Sequence, residues 1–265
     1  MQTRIRLFSF AGIPLYVHGM LLWCLGLLSV FLLVSSDDLG AVGWTLVGAA
    51  LTLICVAIHE VGHALAARAL GVEVYDVVLH VMFGMTRMEP PGSARREIAI
   101  GCAGPLANLA CAAALYPLVK DGTDWGHEVP HSPLSVAFAV NLVLGGLNLI
   151  PAFPMDGGRL MRAFLSLHVG DRHATRIAVV LGRVIAVGMI MSPIALGFVA
   201  WSLAIPIVGF LILFLGEAEW RRLLVVDEAR RVGKFLDLQA ELRDRAGTGS
   251  SVEAAPEPPS DQPSN

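Results

Sequence analysis

Ile58-His59-Glu60-Val61-Gly62-His63 lies late in a long apolar segment, and its reading decides how the rest of the chain is understood. On a helix, residues four apart share one face, about one turn or roughly 6 Å apart along the axis. His59 and His63 can therefore aim imidazole nitrogens at one ion, and Glu60 can reach a water beside it. Zinc suits two neutral imidazoles plus a carboxylate, with a fourth position left open, and it brings the pKa of a water down towards neutrality. The alternative is a pair of helical histidines near a membrane surface with Glu60 solvated. The setting weighs against that, because an ionisable side chain inside an apolar span is expensive and is a functional hypothesis by default.

Of 265 residues, 55% are hydrophobic and 15% charged, whereas soluble domains carry about 25% charged residues. With a positive mean hydropathy, the chain reads as an integral membrane protein. No basic patch interleaved with aromatics appears, so nucleic acid is set aside as a partner. Cys24, Cys55, Cys102 and Cys111 fall in apolar runs without Cys-x-x-Cys spacing and read as small packing residues. The first apolar run is too long for a cleavable signal peptide and lacks a small-residue cleavage site, so it is expected to stay as an anchor.

Taken in order, residues 1–17 read as a short cytosolic or interfacial lead. A first span is expected over about 18–36, with His18 an interfacial residue, and a second over about 41–68, ending at Arg68. At about 1.5 Å per residue, His63 lies roughly 7 Å and His59 roughly 13 Å below Arg68. Residues 72–89 are rich in valine and too short for a spanning helix. They predict a strand pair or a re-entrant β-like segment beside the site, with an edge able to take up an unwound peptide, or else a plain interfacial hairpin. A third span over about 97–118 is dense in Gly and Ala and reads as tight packing, with Asn108 able to bond across to a neighbour. The polar loop 119–132 holds His127 and His131, read as solvated.

A fourth span, about 133–150, runs into Asn148-Leu149-Ile150-Pro151-Ala152-Phe153-Pro154-Met155-Asp156-Gly157-Gly158-Arg159. The prolines preclude regular helix. Asp156 opens a short helix, about 157–168. It is either that helix's N-cap or the carboxylate a two-histidine site lacks. Asn148 is a helix-end cap or an amide that bonds substrate backbone or an oxyanion. Arg159 snorkels or supports the site. Two further spans, about 174–192 and 194–216, are expected to hinge at Ser192-Pro193, with Arg183 partnered inside the bundle. Residues 217–245 read as a cytosolic amphipathic helix and 246–265 as disordered. The fold class is thus an all-α polytopic membrane protein of about six transmembrane helices, 18–216, with a small re-entrant β-like segment after the second span.

Arginine and lysine concentrate in alternate loops, 1–17, 68–96, 159–176 and 221–245, while Asp37, Asp38 and the acidic 119–132 stretch fall opposite. The positive-inside rule then puts both termini of a multi-pass cell-membrane protein in the cytosol. His59, His63 and Asp156 fall near the cytosolic ends of their spans, at one depth on one side.

H-E-V-G-H paired with N-x-x-P-x-x-P-x-D-G-G resembles the site-2 protease family of intramembrane zinc metalloproteases, in its compact prokaryotic branch without a PDZ domain. Gly104-Pro105-Leu106-Ala107-Asn108-Leu109, and Gly12-Ile13-Pro14 followed by His18, are similar to family stretches. The resemblance implies one zinc held by His59, His63 and Asp156, Glu60 as general base, and Asn148, Pro151 and Pro154 shaping a substrate-binding loop. It implies cleavage of membrane-anchored proteins within the lipid bilayer, under a regulatory membrane partner the sequence does not name. Two departures stand out. Phe83-Gly84 replaces the family's Gly-Gly pair, and no nucleotide-binding regulatory domain follows the last span, so nucleotide control of that kind is not expected. A helical substrate must unwind locally before its carbonyl can react. The competing reading is a non-proteolytic metal-binding scaffold or transporter using the same ligands. A transporter needs a second polar path towards the outer face, and only Arg183 and Asn108 continue one. Geometry favours zinc without excluding cobalt or iron.

Overall fold

The computed structural model describes residues 4–80, 84–119, 132–196 and 204–249. In chain order the elements are β1 (Arg4–Phe10), β2 (Ile13–His18), α1 (Gly19–Ser35), α2 (Leu39–Ala69), β3 (Val74–Leu79), β4 (Gly84–Met88), α3 (Ala94–Val119), α4 (Pro133–Asn148), α5 (Asp156–Val169), α6 (Asp171–Leu196) and α7 (Ala204–Gly249). The chain divides into two units, Met1–Gly216 and Glu217–Asn265. The described part of the second is helical.

Local chemistry starts the helices where it should. His18 Nδ1 accepts the Met20 amide at 3.2 Å to begin α1, and Asp38 Oδ1 accepts from Gly40 and Ala41 to begin α2. Ser132 caps α4, with Pro133 in its first turn. Among the described residues, three helices are long and apolar enough to cross a membrane: α2, α3 and the Asp171–Pro193 part of α6. Helices α1 and α4 and the stretch Ile205–Phe214 are apolar but shorter.

The structure corrects three expectations. First, the fold is mostly helical but not all-α. Residues 4–18, read from sequence as a short cytosolic or interfacial lead without strands, form the hairpin β1–β2, half of a four-stranded sheet in the order β1-β2-β3-β4. Leu15–Val17 pair in parallel with Val77–Leu79, so the expected segment after α2 is completed by the chain's own N-terminal strands. Ile13, Leu15, Val17, Val77 and Leu79 turn one sheet face onto Ala64 of α2. Second, no hinge occurs at Ser192-Pro193, and α6 runs through to Leu196. Proline removes the amide that would bond the carbonyl four residues back. Ser192 Oγ donates to that same Met189 carbonyl at 2.8 Å and keeps it satisfied. Third, α7 extends to Gly249, past the helix end expected at 245. Phe83, His127, His131 and residues 250–265 lie outside the described residues.

Helices α2 and α3 pack closely because Gly62 faces Ala103. A Cβ at Gly62 would stand 2.8 Å from the Ala103 carbonyl oxygen. That approach brings α3 across the face of α2 that carries the histidines.

Candidate metal centre

His59 and His63 sit one turn apart on α2, both buried, as the spacing requires. Each ring is oriented through its Nδ1. His63 Nδ1 lies 2.7 Å from the Ile100 carbonyl oxygen, which can only accept, so this nitrogen carries the proton. His59 Nδ1 lies 2.6 Å from Asn108 Oδ1. Both rings therefore present Nε2 to the same point, 3.1 Å apart.

Asp156 completes the group. It is the first residue of α5, whose N-cap is Met155, and that cap makes no side-chain hydrogen bond. The N-cap reading of Asp156 is thus not what forms. Its Oδ2 stands 2.9 Å from His59 Nε2 and 3.1 Å from His63 Nε2. The Asp-Gly-Gly sequence explains how the carboxylate gets there. A Cβ at Gly157 would meet the Leu149 carbonyl oxygen at 2.5 Å, and one at Gly158 would meet Phe153 N at 2.6 Å. Only two glycines allow α5 to start directly against the Pro-rich turn.

Two imidazole lone pairs and a carboxylate oxygen converge without a donor between them, an arrangement a cation satisfies. The edges of this triangle, 2.9–3.1 Å, are close to the roughly 3.3 Å expected between ligands about 2.0–2.1 Å from a tetrahedral zinc. A further feature fits an ion. A Cβ at Gly104 would lie 2.8 Å from His59 Nε2 and 2.6 Å from His63 Cε1, and closer still to His63 Nε2. Glycine at 104 keeps that volume clear. Among the described residues, His59, His63 and Asp156 are the one group of three potential ligands.

Glu60 is also buried and is held from the sheet. Thr86 Oγ of β4 lies 2.6 Å from Glu60 Oε2 and 3.0 Å from the Glu60 carbonyl oxygen. Gly84 passes against the same carboxylate, where a Cβ would stand 2.6 Å from Oε1. The sequence predicts a β-like segment over 72–89 beside the site but carries no sign that Gly84 or Thr86 touches Glu60. Asn108, expected only to bond a neighbour, turns out to touch a candidate ligand.

The remaining candidates lie at the α4–α5 connection. The Asn148 amide donates to Leu144 O at 3.0 Å, within its own helix. Pro151 and Pro154 are half-buried on either side of the buried Ala152 and Phe153, and the Phe153–Pro154 peptide is cis. Arg159 is exposed.

Residues 47–124 and 120–191 match the family described as Peptidase family M50. A zinc metalloprotease of Methanocaldococcus jannaschii is 32% identical over 222 residues, 83% of this chain and 62% of its own length. The Mycobacterium tuberculosis protein Rip3 is 39% identical over 164 residues, 59% of this chain and 40% of its own. The chain therefore spans less than two thirds of these relatives. The solved site-2 protease from Methanocaldococcus jannaschii superposes with a TM-score of 0.59 at 29% identity, over 82% of this chain and 95% of that one.

Proposed function

The chain belongs to peptidase family M50, and from that premise we propose that it is a zinc-dependent intramembrane endopeptidase acting on membrane-anchored proteins. The observation that carries this reading is the meeting of His59, His63 and Asp156 within 2.9–3.1 Å, next to a buried Glu60. His59, His63 and Asp156 hold the metal. When bound, zinc supplies Lewis acidity to the scissile carbonyl and makes water a nucleophile near neutral pH. Glu60 takes the proton of the attacking water and passes it to the leaving amine. Thr86 holds one Glu60 oxygen in place, and Gly84 leaves room for the other.

Substrate enters as an extended segment. β4 is an edge strand of the sheet and bears the Thr86 that contacts Glu60. A peptide adding along this edge would pass the base with its carbonyls released from helical bonds. Asn148, whose amide donates to Leu144 O, would with Pro151 and Pro154 shape the loop that receives the substrate. The protein spans the bilayer six times, the three long helices being joined by α1, α4 and the apolar start of α7. Both termini then face the cytosol, as the arginine distribution requires. The scaffold reading has no use for a carboxylate clamped beside the ligands, and this favours the enzyme.

The test compares new protein termini in membrane fractions from cells carrying wild type or Glu60→Gln. Termini inside apolar spans are expected with wild type only, while Glu60→Gln retains zinc. Matching sets of termini would sink the proteolytic reading and leave the metal-binding one.

A further inference from the structure

The geometry points to Asn108 as the residue that fixes His59 in its metal-binding form, through a chain of amides reaching α4. This rests on His59 being a ligand. Asn108 is fully buried and Asn141 nearly so, deep among apolar helices. Such amides are retained only where every polar atom has a partner.

The bond directions can be read without ambiguity, because backbone carbonyls anchor them. Asn141 Nδ2 lies 2.8 Å from the Ala137 carbonyl oxygen, a pure acceptor, so that side of Asn141 is its NH₂. Its second hydrogen points to Cys55 Sγ at 3.1 Å. Asn141 Oδ1 must then face Asn108, whose Nδ2 lies 2.7 Å away. The other Asn108 hydrogen goes to the Cys55 carbonyl oxygen at 3.0 Å, again a pure acceptor. Both donors of Asn108 are spent, and only Oδ1 is left for His59, 2.6 Å distant. His59 Nδ1 therefore carries a proton, and its Nε2 offers a lone pair to the point where His63 and Asp156 converge.

Every group in this chain is neutral. It joins α4 through α3 to α2 and sets a ligand tautomer without adding charge to the bilayer interior. His63 gets the same service from a backbone carbonyl, which no substitution can remove. His59 alone depends on a side chain, so the site can be tuned at Asn108. Outer partners of this kind orient a ligand and raise its basicity.

The test measures zinc affinity by chelator competition on the full-length protein in detergent, for wild type, His59→Ala, Asn108→Leu and Asn108→Asp. We expect Asn108→Leu to weaken zinc binding by about 10- to 100-fold. Asn108→Asp, which still accepts from Nδ1, should stay closer to wild type. A packing role would give the reverse order, because leucine suits an apolar interior and a carboxylate does not. Wild-type affinity in Asn108→Leu, or weaker binding in Asn108→Asp than in Asn108→Leu, overturns the inference. Unchanged affinity in His59→Ala would instead overturn the ligand assignment beneath it. If the Asn108 variants do not fold, nitrogen NMR of zinc-loaded wild type with labelled histidine decides. A proton on His59 Nδ1 supports the assignment, and its absence refutes it.

Discussion

Replacing Gly104 by alanine puts a methyl group against the Nε2 atoms of His59 and His63. The new Cβ would lie 2.8 Å from His59 Nε2 and 2.6 Å from His63 Cε1, and nearer still to His63 Nε2. Real Cβ contacts do not fall below about 3 Å, so a ring must move. His63 is the closer, and moving it has two consequences. Turning it off its rotamer costs about 0.5–1.5 kcal/mol. Its 2.7 Å bond to the Ile100 carbonyl is lost as well, about 0.5–1.5 kcal/mol net. The sum, about 1–3 kcal/mol, corresponds to about 5- to 140-fold weaker metal binding, and complete loss of the ligand would add to that. Zinc content after purification and chelator competition measure the effect, and circular dichroism shows that the helices persist. A Gly104→Ala protein that folds and binds zinc with wild-type affinity would refute the placement of the ion among these atoms.

Gly84→Ala is the counterpart on the other side of the site: its Cβ would stand 2.6 Å from Glu60 Oε1, so cleavage should fall steeply while zinc affinity holds, and loss of zinc instead would contradict the separation of base from ligands. Thr86→Val removes a hydrogen bond to a carboxylate, worth about 1.5–3 kcal/mol, so cleavage measured on a reconstituted substrate should drop about 10- to 140-fold, with Thr86→Ser restoring it. A valine variant as active as wild type would show that Thr86 does not position Glu60. Asp156→Ala should weaken zinc binding beyond the about 10- to 100-fold typical of outer partners, and full zinc occupancy in that variant would return Asp156 to an ordinary first-turn residue.

How much of this was legible in the sequence depended on whether the signal was local. The His59–His63 pair was, because four-residue spacing on a helix leaves no freedom about which face the side chains share. Asp156 was legible through the Asp-Gly-Gly that follows it, although the reason lies elsewhere: both glycines are needed where α5 meets residues 149–153. The N-terminal hairpin was not. In β1 the pairing shifts between Arg6 and Phe8, so Ile5 opposes Val17 while Phe8 opposes Leu15. The bulge breaks the period-two alternation that marks a strand. In β2, Pro14 argues against a strand within a sheet, yet it precedes Leu15–Val17, the residues paired with β3. The hinge expected at Pro193 failed because Ser192 supplies the missing donor, a compensation that no proline count foresees.

The small residues of α3 and β4 were read as packing or as a family departure, and this is where structure changes the argument most. Gly62 does serve packing, since its neighbours are Ala103 and Ala107. Gly104 and Gly84 face no such neighbour. One clears space at the ligand nitrogens and the other at the Glu60 carboxylate. The two lie on different elements, α3 and β4, and α2 carries the ligand pair and the base between them. On the proposed mechanism, metal binding is governed from the helical side and proton transfer from the sheet side. A peptide that adds to β4 would load the strand holding Glu60 while leaving Asn108, His59 and His63 untouched. On that proposal substrate docking adjusts the base without disturbing the ion, and the Gly84 and Gly104 variants should therefore fail in different assays.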